Sequence, residues 1–360
     1  MTRPLVIKFG GDALATPERI GGAARKIAAR STHRPVVAVA SARRGVTDHL
    51  LSLVARVRGQ AGAASHVGSA AADRAVASGE VVSASLLAVA LEELGLRAVV
   101  LDAREAGLGS DGRPGDSRLV SVRPRRVLRL LDHGVVPVVT GFQGWRRGRI
   151  TTLGRGGSDV TAVALAASLD AEQCELVKEA GGLHTADPAL IPDASPIARS
   201  SHRFLVELAA AGARVIHHLA AEQAERDAVR LRFSAIADGA ETLVDGEIAD
   251  HESLALAHGR GRRDFPAPVE LEDLTTVTLI SGAPEVPPAI RAAATAAAAH
   301  SGIAIAGTSH GSHTLRFVVA SSDAVPLLRV IHEEVAGRSR PAHVESGVTA
   351  SDWRSHVSHR

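Results

Sequence analysis

The chain is almost without aromatic rings and sulfur. It has no tyrosine, two tryptophans and six phenylalanines, about 2% of 360 residues, with one cysteine and one methionine. A lone cysteine, Cys174, excludes an intrachain disulfide and a cysteine-built metal cage. So few rings leave no stacking platform for single-stranded nucleic acid. Neither charge sign dominates: 41 Lys and Arg stand against 39 Asp and Glu, a formal net charge of +2. The densest basic group, Arg123 to Arg129, reads as a solvated helix face rather than a polyanion site. No unbroken apolar run reaches the ~18–20 residues of a membrane span. The start, MTRPLVIKFGG, lacks the apolar core and cleavage site of a secretory signal. A cytoplasmic protein with neither nucleic acid nor membrane as partner is the expectation.

What is present is apolar and regular. Hydrophobic residues make up 45% of the chain, enough for a substantial core. Short β-branched runs at 4–10, 35–41, 97–103, 134–142 and 174–180 read as buried strands. Alanine- and leucine-rich helical patterns fall at 17–30, 48–58, 68–94, 122–132, 158–169 and 202–224. This alternation predicts an α/β domain over 1–245, a mostly parallel sheet sandwiched by helices. The pattern fades over 246–268, which reads as a connector. Order returns at 269–337, where strands at 274–281, 302–310 and 313–321 and helices at 287–301 and 324–337 predict a small α+β domain. Residues 338–360 read as a mobile tail.

Ligands of parallel sheets collect at the carboxyl ends of the strands, and the glycine clusters fall there. Lys8 closes the first strand, followed by Gly10 and Gly11. An ammonium at a strand end meets a phosphate as a point charge, and glycines let the backbone wrap it. The stretch TTLGRGGSDVTAVALAASL, 151–169, places Gly154, Gly156, Gly157, Ser158 and Asp159 before a helix. Helix capping accounts for Ser158 and Asp159. It does not account for Arg155, whose planar fork suits a carboxylate. The combination points to an anionic small molecule, with Asp159 near a second reacting group or orienting Lys8.

KFGG (8–11), SGEVVSASLLAVALEELG (78–95), AGLGSD (106–111), VVPVVTGFQG (135–144), ITTLGRGGSDVTAVALAASL (150–169), GLHTADP (182–188) and ELAAAGARVIHH (207–218) resemble, in order and spacing, the aspartate kinases of the amino acid kinase superfamily. The resemblance spans nearly all of 4–244. The small domain resembles an ACT regulatory module, usually one of a pair; here the first of the pair would be eroded into 246–268. The resemblance implies ATP-dependent phosphorylation of the side-chain carboxylate of L-aspartate, with Mg²⁺ on the nucleotide and no protein-held metal site. It implies that Lys8 contacts the transferring phosphate, cradled by Gly10 and Gly11, and that Asp159 orients Lys8. Arg155 would hold the α-carboxylate of aspartate and Glu80 its amino group. Ser41 and Thr47 would line the acceptor pocket, with Gly157 and Ser158 beside it. Lys178, Glu179, His184, Asp187 and Arg214 would occupy the nucleotide side. A homodimer through the ACT-like domain is implied as well.

Several positions depart from the family pattern. Lys178 and Glu179 replace a Thr-Asp pair, Gly181 an Asp, His184 a Tyr and Ala189 an Arg. Arg214 stands where Lys is usual, His218 where Pro is, and Arg43 and Arg44 where Met-Gly is. Three readings stay open: an aspartate kinase with an altered nucleotide site, a kinase for another amino acid or carboxylate, or a pseudokinase acting as a binding subunit. The presence of Lys8, Glu80, Arg155 and Asp159 together favours the first.

Overall fold

A computed structural model describes residues 2–59, 69–237, 239–246, 254–259 and 274–336. In chain order the described elements begin with β1 (Leu5–Phe9), α1 (Pro17–Ser31), β2 (Val36–Ala40), α2 (Val46–Val57), α3 (Ala70–Glu92), β3 (Ala98–Leu101), β4 (Leu108–Ser110), β5 (Leu119–Val122) and α4 (Arg125–Asp132). They continue with β6 (Val136–Thr140), β7 (Gln143–Arg146), β8 (Arg149–Thr152), α5 (Gly157–Ser168), β9 (Gln173–Val177), β10 (Leu183–His184), β11 (Pro196–Ile197), β12 (Arg199–Ser200), α6 (His202–Ala210) and α7 (His218–Arg226). The first unit closes with β13 (Leu231–Ser234) and β14 (Thr242–Val244). After it come β15 (Leu254–Gly259), β16 (Leu274–Ser281), α8 (Pro288–His300), β17 (Gly307–His310), β18 (Thr314–Ala320) and α9 (Ala324–Ala336).

The main sheet has eight strands in the order β12-β14-β13-β9-β1-β2-β6-β3. All its pairs are parallel except β13 with β14. Side chains alternate between faces of a strand. Leu5, Ile7 and Phe9 pack with α1 and α3 on one side, while Val6 joins Val39 and the α5 residues Ala162, Val163 and Leu165 on the other. Lys8 shares the parity of Val6, so the alternation sends its ammonium toward α5. Each fully buried Ile, Leu or Phe contributes about 1.5–3 kcal/mol. Cys174, in β9, is fully buried; burial pushes its thiol up from its usual range, so it behaves as a core residue.

Three expectations are corrected. The run 202–224 is two helices, α6 and α7. Gly212, at φ +97°, stops the first in a left-handed conformation; a Cβ there would stand 3.1 Å from the Gly259 Cα. The segment 246–268, expected as a connector or an eroded ACT remnant, contains a strand: β15 pairs antiparallel with β16 from Leu254↔Ser281 to Gly259↔Thr276. Residues 260–268 and the tail 338–360 lie outside the described residues. The strand expected over 302–310 is paired only from Gly307 to His310. In addition, α3 is long and apolar enough by composition to cross a bilayer, although half of its apolar window is buried inside the fold. It carries the buried acids Asp73 and Glu80.

The second unit is an antiparallel sheet, β15-β16-β18-β17, with a core of Val277, Leu279, Phe317, Leu327 and Ile331. It meets the first unit through β15 and β16, whose Ala255, Ala257 and Ile280 join the core of that unit, and through the loop at Thr185. Leu256 N–H donates to the Thr185 carbonyl at 2.8 Å, and the Thr185 hydroxyl meets His332 Nε2 of α9 at 2.9 Å.

Candidate active site

Three adjacent strands, β9, β1 and β2, end side by side. Lys8 is the fourth residue of β1, in register with Val39 of β2 and Leu176 of β9. Its Nζ lies 2.7 Å from Asp159 Oδ1, with both side chains buried. Asp159 sits in the first turn of α5, whose N-cap Gly156 is left-handed at φ +77°. A Cβ on Gly156 would collide with His217 at 2.4 Å, so only glycine lets the loop before α7 close over this turn. His217 N–H donates to Asp159 Oδ2 at 3.3 Å. Lys178, the first residue after β9, approaches both Asp159 oxygens at 3.4 Å. Burial alone would raise the Asp159 carboxyl; the charges of Lys178 and Lys8 overcome it and hold the group well below the carboxylate range. The helix N-terminus acts in the same direction. Burial pulls Lys178 down to about 8, against the opposing pull of Asp159.

The loop after β1 is clamped to the loop after β2. Arg44 N–H donates to the Gly11 carbonyl at 3.1 Å. A Cβ on Gly11 would stand 2.7 Å from the Ala42 carbonyl and 3.1 Å from Arg44 N, both backbone atoms that cannot rotate away. Gly11→Ala is therefore expected to push the two loops apart. Overpacking of this kind costs about 1–3 kcal/mol, read as a lower Tm together with weaker nucleotide binding in calorimetry. An unchanged Tm would show that the loops have slack.

The opposite side of the β2 loop belongs to α3. Ser41 directly follows β2 and donates its N–H to the Phe9 carbonyl at 3.2 Å. Glu80 Oε1 accepts from Ala42 N–H at 3.0 Å. Glu80 Oε2 is buried with no hydrogen-bond partner among the described residues. Burial raises this carboxyl to about 7. A buried acceptor without a partner costs about 1–3 kcal/mol, and an ammonium is the group that satisfies it best. Thr47, in the first turn of α2, is half-buried.

The other expected residues adjoin this cluster or lie at the surface. Arg155 is exposed, and its guanidinium pairs with Asp48 of α2 at 2.7 Å. Gly157 and Ser158 are buried at the start of α5, with Ser158 packed on the backbone at Gly141. Glu179 faces Arg19 at 3.2 Å and Arg44 at 3.9 Å, and Arg44 also holds Asp12 at 2.9 Å. Two departures from the family pattern, Arg44 and Glu179, thus face each other across the strand ends. Gly10 donates its N–H to the Val177 carbonyl at 3.2 Å. His184 Nδ1 bonds the Gly182 carbonyl at 3.0 Å. Asp187 is exposed and caps its own turn through Ala189 N–H at 2.9 Å. Arg214 is exposed in the α6–α7 turn.

Sequence reasoning missed Asp73. Its Oδ1 accepts from the Thr152 hydroxyl at 3.0 Å, and its Oδ2 from Thr152 N–H at 3.2 Å and Gly115 N–H at 3.1 Å. It anchors the loop that carries Gly154 to Asp159. The signal was available: Asp73 precedes Glu80 by seven residues, two helical turns, and so shares its inward face.

A glycine turn, a buried lysine–aspartate pair and a buried carboxylate with one unpartnered oxygen lie together at the carboxyl ends of a parallel sheet, where ligands of such sheets collect. The profile of the amino acid kinase family matches residues 3–233, and the chain belongs to that family. An aspartokinase of Corynebacterium glutamicum is 38% identical over 250 residues, covering 68% of this chain and 58% of the relative. One of Thermus thermophilus is 40% identical over 230 residues, covering 63% and 55%. The chain thus spans under two thirds of the length of these relatives. Among solved structures, E. coli aspartokinase III in complex with aspartate and ADP superimposes with a TM-score of 0.74 at 21% identity, over 92% of this chain and 99% of that one. That likeness is one of fold.

Proposed function

We propose that the protein transfers the γ-phosphoryl group of ATP to the side-chain carboxylate of L-aspartate, giving 4-phospho-L-aspartate and ADP. The observation that carries this is the buried Lys8–Asp159 pair, 2.7 Å apart, beside the Gly10–Gly11 turn. Support comes from the aspartokinase relatives and from the aspartate and ADP held by the E. coli structure of the same fold.

The acceptor carboxylate is ionised at neutral pH, so no general base is required. What the reaction needs is charge compensation where two anions meet. Lys8 supplies it at the phosphate, and Asp159 fixes the lysine. Glu80 takes the α-ammonium of the amino acid through its unpartnered oxygen. Arg155, exposed and paired with Asp48, exchanges that partner for the α-carboxylate. Ser41, Thr47, Gly157 and Ser158 line the acceptor side, and Glu179, His184, Asp187 and Arg214 the nucleotide side.

Mg²⁺ enters on the nucleotide. Asp159 is engaged by Lys8, Lys178 and His217 N–H, and no cluster of three His, Cys, Asp or Glu able to hold a metal occurs among the described residues. When bound, the ion offsets negative charge on the phosphates. The small unit, β15 to α9, we read as ACT-like and as the surface of a homodimer.

Hydroxylamine trapping of the acyl phosphate tests the reaction. Hydroxamate is expected with ATP, Mg²⁺ and aspartate, and none without aspartate. Hydroxamate from glutamate or another carboxylic acid, with none from aspartate, would replace the acceptor.

A further inference from the structure

The Asp159 carboxylate holds two ammonium groups where neutrality needs one. Lys8 satisfies it at 2.7 Å. Lys178 stands farther off, 3.4 Å from each oxygen. Its backbone is fixed, because its N–H donates to the Ser234 carbonyl at 2.8 Å. Lys178 follows Val177, whose carbonyl accepts the Gly10 N–H, so its backbone adjoins the glycine turn. A Cβ on Gly10 would lie 3.8 Å from Lys8 Nζ. Two lysines and one carboxylate leave a net positive charge against a glycine cradle. Bringing a second, weakly paired ammonium out of water is costly and adds little to an aspartate already bonded to Lys8. Arg214, the cation at the position expected on the nucleotide side, makes no side-chain hydrogen bond or ion pair among the described residues and is exposed.

We infer that Lys178 is a second catalytic cation, which binds a non-bridging oxygen of the phosphoryl group in transfer while Lys8 binds another, with Asp159 setting the spacing of the two. The inference rests on the phosphotransfer reading. In the step, a carboxylate oxygen of the acceptor forms a bond to the γ-phosphorus. The bond from that phosphorus to the β,γ-bridging oxygen breaks, and its electron pair leaves on ADP. No proton moves. Charge spreads over the equatorial oxygens during transfer, and two fixed ammonium groups meet it without reorganisation. A residue that only binds nucleotide would stabilise ATP and the transition state alike, and its loss would raise KM without lowering kcat.

The test compares wild type, Lys178→Met and Lys178→Arg. Two readouts are used: hydroxamate formation with ATP, Mg²⁺ and aspartate, and calorimetric binding of ADP with and without aluminium fluoride, a mimic of the transferring group. Lys178→Met is expected to lower kcat by about 10²–10³-fold, the effect of removing one oriented charge donor. It should weaken ADP–aluminium fluoride by a similar factor while leaving ADP alone nearly unaffected. Lys178→Arg should recover at least about a tenth of the wild-type kcat, since the charge is restored with altered geometry. The wild-type kcat/KM for ATP should fall as pH rises through about 8, where Lys178 loses its proton, and Lys178→Met should lack that limb. The charged groups acting on this ammonium are Asp159 of α5 and Lys8 of β1; the His217 imidazole before α7, which also feels Asp159, is lowered by burial and is neutral at that pH. An unchanged kcat, or equal losses for ADP and ADP–aluminium fluoride, overturns the inference. If wild type binds ADP–aluminium fluoride far more tightly than ADP yet yields no hydroxamate from aspartate, the acceptor assignment falls and the role of Lys178 stands. If aluminium fluoride adds nothing to wild-type affinity, both fall.

Discussion

Asp159→Asn is expected to lower kcat by about 10²–10³-fold and to destabilise the protein by about 3–5 kcal/mol. Asparagine keeps the shape and one acceptor oxygen. It removes the charge that neutralises Lys8 at 2.7 Å and Lys178 at 3.4 Å, leaving one buried and one partly buried ammonium group with no anion between them. The stability loss has a defined pH signature. The folded carboxyl is held far below its usual value of 3.8, so its stabilising contribution is complete above that value and fades only as pH falls below it. Wild type and variant should therefore differ most in Tm at neutral pH and converge in strong acid. At alkaline pH the gap should narrow as well, because Lys178 then sheds its proton and one of the stranded charges disappears. Near-wild-type turnover in a folded Asp159→Asn protein would remove the aspartate from the catalytic machinery. An unchanged Tm would contradict the ion-pair geometry itself.

How much of this was readable before the fold is clearest from the two lysines. Lys8 lies in a strand whose apolar residues alternate, so its face follows from parity, and the glycines behind it mark the turn. Asp159 opens a helix that is apolar all round, a pattern that places it inside. Lys178 carries no such signal. It departs from the family pattern, and its value depends on β9 lying next to β1, an adjacency created by the crossover order of the sheet and not by the chain order. The strand β15 was missed for a related reason. Leu254 and Leu256 pack into the small unit while Ala255 and Ala257 pack toward the large one. A strand buried on both faces shows no polar alternation, and this one adjoins Gly-, Pro- and charge-rich sequence. Arg155 was legible as a carboxylate fork, but not its pairing with Asp48, because an exposed guanidinium takes the nearest acid.

Glu80→Gln should separate affinity from stability, moving them in opposite directions. In the free protein burial raises this carboxyl from 4.5 to about 7. A folded value above the unfolded one means that the folded state favours the proton. Its stabilising contribution is complete below the unfolded value and is lost as pH rises through about 7. At pH 8 the wild-type protein thus carries a buried carboxylate with one unpartnered oxygen, a burden of about 3 kcal/mol at 1.36 kcal/mol per unit. Glutamine removes that charge and can keep the Ala42 N–H bond, so its Tm should exceed wild type at pH 8 and match it near pH 4. Aspartate binding should respond in the other sense. The α-ammonium pairs only with the ionised carboxylate, so the wild-type KM for aspartate should be flat above pH 7. Below pH 7 it should rise about tenfold per unit. Glutamine should raise that KM at pH 8 by about ten- to a hundredfold, the worth of a charge-assisted hydrogen bond at 1.5–3 kcal/mol, and should erase its pH dependence between 5 and 8. A purely structural Glu80 predicts instead a lower Tm in the variant with KM unchanged, so the two measurements at pH 8 decide between the roles by sign alone.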